Sequence, residues 1–108
     1  VRQSHLINQY TWLAIGKNYS REFKDYSVNR IRKPDYNKAI KYLNRVNDKT
    51  IVKHLQIMKY VALSESYLQT GDKAAARKMF NKASLIVQGN PSLQTYIKPY
   101  NNLEQLLR

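Results

Sequence analysis

Tyr60-x-x-Leu63-Ser64-x-x-Tyr67-x-x-x-Gly71-Asp72-x-x-x-Ala76-x-x-x-Phe80-x-x-Ala83 decides how the rest of the chain is read. Large and small residues recur at steps of three and four on both sides of a Gly-Asp turn, the spacing of one face of a helix. Two antiparallel helices with interlocking faces satisfy it, Ala76 and Ala83 leaving room for the aromatic rings opposite. The first of the two runs from about Ile51 to Gln69 and closes at Thr70-Gly71-Asp72, with Gly71 as the glycine that ends a helix. The second spans about Lys73 to Val87 and stops at Gly89-Asn90-Pro91.

Upstream, the seam Trp12, Ile15, Tyr19, Phe23, Tyr26 predicts a helix from about Leu6 towards Arg30, ended by Lys33-Pro34-Asp35. Asp35 reads as the N-cap of a further helix whose Tyr36, Ala39, Ile40, Leu43 and Val46 face inward, before the polar turn Asn47-Asp48-Lys49-Thr50. Downstream, a last helix from about Ser92 to Leu107 presents Leu93, Tyr96, Tyr100, Leu103 and Leu107. Pro99 should kink it or split it in two.

The opening stretch resembles the tetratricopeptide repeat (TPR), matching in order its large, Leu, small, Tyr, Gly-Asp, Ala, aromatic and Ala positions. The resemblance extends upstream: Trp12-x-x-Ile15-Gly16-x-x-Tyr19 resembles a first TPR helix and Asp35-x-x-x-Ala39-x-x-x-Leu43-x-x-Val46 the second. Two departures stand out. The closing proline is expected at Gln88, whereas Pro91 comes three residues late. Tyr67 precedes Ala76 by nine residues, but Tyr19 precedes Ala39 by twenty. The eleven extra residues are about three helical turns, so an extended first helix would keep its face in phase, and Phe23 and Tyr26 favour that over a loop.

The resemblance implies an all-α fold: antiparallel helix pairs stacked as a short right-handed solenoid of about five helices, the first of them long. Repeat one would cover about 6–47, repeat two about 51–88, and a capping helix about 92–107 of a single 1–108 domain. Two repeats and a cap form a minimal stack, since stability usually wants three or more. Further repeats or a second copy of the chain are the other ways to cover an open end.

TPRs bind proteins and rarely catalyse, so the resemblance implies a non-catalytic scaffold or adaptor that binds a peptide or protein segment. The family's groove positions fall on Tyr10, Leu13, Lys17, Ser20 and Arg21, and on Met58, Val61, Glu65, Leu68 and Gln69. Lys17 and Arg21, one turn apart, would hold a carboxylate between them. Met58, Val61 and Leu68 would accept an apolar side chain; packing of Val61 and Leu68 on a neighbouring helix is the other reading of the same positions. TPRs that hold the acidic tails of heat-shock chaperones want Asn where Lys17 stands, and Glu65 would repel a carboxylate, so that partner is disfavoured.

Charge is the second signal. Nineteen Lys and Arg against seven Asp and Glu give +12 in 108 residues, which favours acidic proteins, nucleic acid or anionic lipid as partners. Lys38, Lys41 and Arg45 step by three and four, so one face of the second helix is a basic ridge, and Arg32 and Lys33 extend it from the stretch before the helix. Such a ridge would neutralise phosphates, with Tyr36 and Tyr42 near enough to stack on bases. A solvated outer helix face accounts for the same residues. A protein or peptide partner, acidic in character, ranks first, nucleic acid second and homodimerisation third.

Catalytic chemistry has little to stand on. His5 and His54 lie far apart, seven scattered acids give no metal-ligand spacing, and no phosphate-binding glycine loop exists, so no metal or cofactor is expected. No apolar run reaches the roughly 18 residues of a membrane span, and the start does not look like a signal peptide. Opening at Val1 reads as a processed or excised piece of a longer protein. Without cysteine there are no disulfides to mark a compartment, and cytoplasmic is the default beside a soluble part of an anchored or exported protein.

Overall fold

Helix stop and start signals partition the chain, and the computed structural model describes residues 2–21, 23–25, 29–47, 49 and 51–108, with 2–8 and 23–25 described by backbone alone. The helices are α1 (Arg2–Tyr19), α2 (Tyr36–Asn44), α3 (Lys53–Gln69), α4 (Lys73–Gly89) and α5 (Asn101–Leu106). Two 3-10 segments, Pro91–Tyr96 and Lys98–Tyr100, precede α5. A two-stranded hairpin, β1 (Phe23–Asp25) and β2 (Arg30–Arg32), lies between α1 and α2. The protein is otherwise all-α, measures 45 × 41 × 23 Å, and is about two helix diameters thick.

The Gly71-Asp72 turn does two jobs in two residues. Gly71 takes φ +92°, and its N–H bonds the Leu68 carbonyl while the Asp72 N–H reaches Tyr67 O at 2.9 Å. That is the paired closure of a helix C-terminus that glycine permits at lowest steric cost. The Asp72 carboxylate then accepts the Ala75 N–H at 3.0 Å, opening α4. At the other junction the Asp35 N–H bonds Tyr19 O at 2.8 Å and its carboxylate accepts the Lys38 N–H at 3.1 Å. The same tyrosine-to-aspartate junction therefore recurs, with only the linker differing.

Within each pair the helices run antiparallel. Trp12 meets Arg45, Gly16 meets Leu43 and Tyr19 meets Lys38 across α1 and α2. Across α3 and α4, Tyr60 meets Lys82, and the Ser64 hydroxyl donates to Ala76 O at 2.7 Å. Small residues sit at both crossings, Gly16 and Ser64, where large ones would hold the backbones apart. Two core clusters result. Leu13, Ala39, Leu43, Val46, Ile51 and Leu63 form one; Ile57, Tyr60, Val61, Ala76, Phe80, Ala83, Leu103 and Leu107 form the other. Tyr67 and Met79 pack against both, and α3 supplies residues to each, so α3 is the shared wall. Lys59 is buried, its ammonium donating to Val46 O at 2.7 Å just beyond the end of α2, where a cation suits the exposed carbonyls.

The long first helix is corrected: α1 ends at Tyr19, not near Arg30, and the extra residues enter a hairpin. A helix continued to Arg30 would carry the chain about 16 Å past Tyr19. The few residues left before Asp35, at most about 17 Å of extended chain, would then have to return to the Tyr19 carbonyl. A hairpin closes the excursion locally, with Asn29 at φ +51°, a conformation asparagine tolerates. Of the expected seam residues, the Phe23 side chain and Tyr26 lie outside what is described. At the other end, the expected helix over about 92–107 is corrected: Pro91–Tyr96 and Lys98–Tyr100 are 3-10 segments parted at Ile97, and only Asn101–Leu106, just after Pro99, is α-helical. Leu103 and Leu107 cover the α3–α4 pair. Arg77 Nε bonds the Leu107 carbonyl at 2.6 Å, anchoring α5 by its C-terminus.

Candidate functional site

Tyr10, Lys17 and Arg21 share one face of α1 and its end, about half a turn round from Trp12 and Tyr19. Tyr10 and Arg21 are exposed and Lys17 is half-buried. Ser20 is buried, its hydroxyl donating to Lys17 O at 2.7 Å, so it fixes the turn below the lysine. On α3, Met58, Glu65 and Leu68 are half-buried and Gln69 is exposed. Leu13 and Val61 are corrected: at 4% and 1% exposure they belong to the two core clusters and present nothing to a ligand. Both positions sit at the border between the open face and the neighbouring helix, and packing has taken them.

Arg21, just past the end of α1, and the Tyr36 phenol of α2 both interact electrostatically with Glu65 on α3. Burial raises its carboxyl above the ordinary carboxylate value, and the Arg21 guanidinium opposes the rise in part. Burial, then repulsion from Arg21, holds the Lys17 ammonium below its usual value. Burial, then the Glu65 charge, raises the Tyr36 phenol. No described residue forms an ion pair with Glu65 within 4.0 Å. The folded chain therefore holds the Glu65 proton more tightly than the unfolded chain does. That contribution is fully present below the unfolded value of about 4.3 and is lost as pH rises through the folded one. Glu65→Gln should accordingly raise the melting temperature at pH 7, with the difference closing towards pH 4. Equal gains at both pH values, or none, would contradict a strained carboxylate.

Glu65, Leu68 and Gln69 also line a cavity of about 350 Å³ with Pro99, Tyr100, Asn102, Leu103 and Leu106. Its walls are aliphatic and aromatic, while Gln69 and Asn102 bring amides and Glu65 a carboxylate. Leu106 is 61% exposed at its rim. The C-terminal half of this cavity was not legible from the groove positions, because it depends on where the split last helix docks. Two smaller clefts of about 200 Å³ lie between α4 and the C-terminal segment, with Phe80 on the wall of each.

The basic ridge is ordered by rings. Trp12 and Tyr19 are seven residues apart, about two turns or 10 Å of helix, which leaves room for one ring between them. Tyr42 fills it, stacked on Trp12 at 5.6 Å and on Tyr19 at 5.5 Å. Arg45 lies over Trp12 at 4.9 Å and over Tyr42 at 5.2 Å, while Arg32 lies over Tyr19 at 4.8 Å and Lys38 at 5.5 Å. Lys33 and Lys41 are exposed alongside. Tyr42 is thus engaged within the ladder, and its faces are not open to a base. The pairing of rings across two helices has no sequence signal beyond the seven-residue spacing of Trp12 and Tyr19.

Among the described residues no group of three His, Cys, Asp or Glu is placed to hold a metal ion. His54 stacks on Tyr96 at 5.1 Å, and the His5 side chain is outside what is described. No described helix is long and apolar enough to cross a membrane. No family model, curated protein or solved structure matches the chain.

Proposed function

We propose that the chain is a short TPR-like helical-repeat module, stacked as a right-handed solenoid and non-catalytic, that binds an extended peptide segment of a partner protein. The repeat reading is supported by the recurring junction at Asp35 and Asp72. It is supported too by the matched positions Gly16 and Ser64, Ala39 and Ala76, Leu43 and Phe80. The observation that carries the binding reading is the half-buried Glu65, which lies in the field of Arg21 and lines the cavity of Leu68, Tyr100, Leu103 and Leu106. Partially desolvated charges that burden the free protein are a mark of binding sites, and an apolar pocket with a few polar groups is the form such sites take. The peptide that fits has a Leu or Phe side chain for the cavity and an acidic residue for Lys17 and Arg21. Glu65 spaces the two and repels an acid placed at the pocket itself.

Selection of random displayed peptides against the domain tests this. Enriched sequences should pair an acid with Leu or Phe within a few residues. Arg21→Glu and Leu106→Asp, both at exposed positions, should each weaken a selected peptide at least tenfold without changing the circular dichroism. Enriched peptides lacking the acid, or unaffected by both substitutions, would overturn the assignment.

A further inference from the structure

The face formed by α2 and the outer side of α1 is separate from the peptide site and is built differently. Along α2, Lys38, Lys41 and Arg45 project at one-turn intervals, about 5 Å of rise each. Two of the three are seated on ring faces of the Trp12–Tyr42–Tyr19 ladder, and Arg32 from β2 is seated at its Tyr19 end. A cation held over a ring has already lost much of the freedom that binding would remove. Arg32 is held further, donating to the Asn18 carbonyl at 3.4 Å, so the row that meets a ligand is Lys38, Lys41 and Arg45. Asp35, three residues before Lys38, is committed to capping α2 through the Lys38 N–H; Asp48, three residues after Arg45, lies outside the described residues.

We propose that this ladder-backed row grips the phosphate backbone of single-stranded nucleic acid. One row of evenly spaced cations on one helix meets one phosphate chain. The ring faces are occupied by each other and by the cations, so bases are not stacked upon and the grip is independent of sequence. A lipid surface is a poorer fit, because the inward residues of α2 (Ala39, Leu43) are buried and the exposed aliphatic beside the charges, Ile31 on β2, is a single side chain and not an apolar helix face. An acidic peptide lacks the fixed repeat of charge that the helix repeat matches.

The test is fluorescence anisotropy of a labelled oligothymidylate of about 20 nucleotides, titrated with the whole chain over a range of salt. The triple variant Lys38→Gln, Lys41→Gln, Arg45→Gln should bind more than tenfold more weakly. It should also lower the slope of log K against log salt by about 2, at roughly 0.7 per phosphate contact on a single strand. A control with the same loss of charge, Lys53→Gln, Lys73→Gln, Lys78→Gln, removes exposed lysines away from the ladder and should change affinity less than about threefold. Equal losses from the two triples would mean that net charge alone binds the oligonucleotide, and would overturn the site. So would absence of binding at low salt, or binding of polyglutamate or phosphatidylserine vesicles as tight as that of the oligonucleotide and equally sensitive to the ladder triple.

Discussion

Phe80→Ala should remove about 3–5 kcal/mol, a large share of the total of about 5–15 kcal/mol for a domain of this size. Phe80 is 6% exposed and packs in the cluster of Ile57, Tyr60, Val61, Leu103 and Leu107 that joins α3, α4 and α5. Its ring also stands between two clefts of about 210 and 200 Å³, so truncation joins them and opens the core to water instead of leaving a sealed void. The loss should not stay local. Because α3 is a wall of both core clusters, loosening it from α4 removes support from Leu63 and hence from α1 and α2. Urea unfolding followed by circular dichroism should show one transition with a much lower midpoint. A loss under about 1.5 kcal/mol, or a second transition in which α1 and α2 persist, would show that the two clusters are independent, contrary to the shared-wall packing. Loss of binding in this variant would say nothing about a site, which is why the binding tests use exposed residues.

What could be read from the chain in advance follows how local the governing physics is. The Gly71-Asp72 turn was legible because stop and start signals are adjacent and each acts within four residues: a glycine at positive φ, then a carboxylate capping a backbone N–H. Asp35 as an N-cap was legible for the same reason, and so was a break in the last segment, though it falls at Ile97, two residues before Pro99. The end of α1 was not. Between Tyr19 and Pro34 the chain has neither glycine nor proline, and Phe23 and Tyr26 continue the helical spacing. A helix continued to Arg30 would leave almost fully extended chain to return to the Tyr19 carbonyl, a constraint of the pair that no window of sequence contains.

The sites divide along the same line. Lys17, Arg21, Glu65 and Leu68 were named from the groove positions that the TPR resemblance implies; Lys17, Glu65 and Leu68 lie inside regular helices, and Arg21 two residues past the end of α1. Leu13 and Val61 were named from those positions too, yet they are core, because periodicity gives a direction and not the position of the next helix. The basic ridge was legible as a row of charges; its seating on rings was not, since Tyr42 comes from one helix and Trp12 and Tyr19 from another. The docking of α5, which completes the cavity, is equally non-local.

Gly16→Val should destabilise the domain by about 3 kcal/mol, the upper part of the range for overpacking, although glycine inside an exposed helix is normally the weaker residue by about 1 kcal/mol. A Cβ on residue 16 would stand 2.5 Å from Leu43 Cγ, 2.7 Å from its Cδ2 and 3.2 Å from its backbone nitrogen. Leu43 is fully buried and cannot swing away, so α1 and α2 must separate, and the separation strains the Trp12–Tyr42–Tyr19 stack on the same interface. Gly89, at the end of α4 with nothing within 4 Å of its added Cβ, is the internal control: Gly89→Ala should be neutral or stabilising by up to about 1 kcal/mol. The cause can be isolated by a cycle with Leu43→Ala, which clears the space a Cβ needs. Gly16→Ala should cost about 1–3 kcal/mol in the parent and much less in the Leu43→Ala background, a non-additivity expected of residues in contact. Urea midpoints at constant slope would measure each corner of the cycle. Strict additivity would mean that glycine is needed at position 16 for some reason other than the close approach of α2.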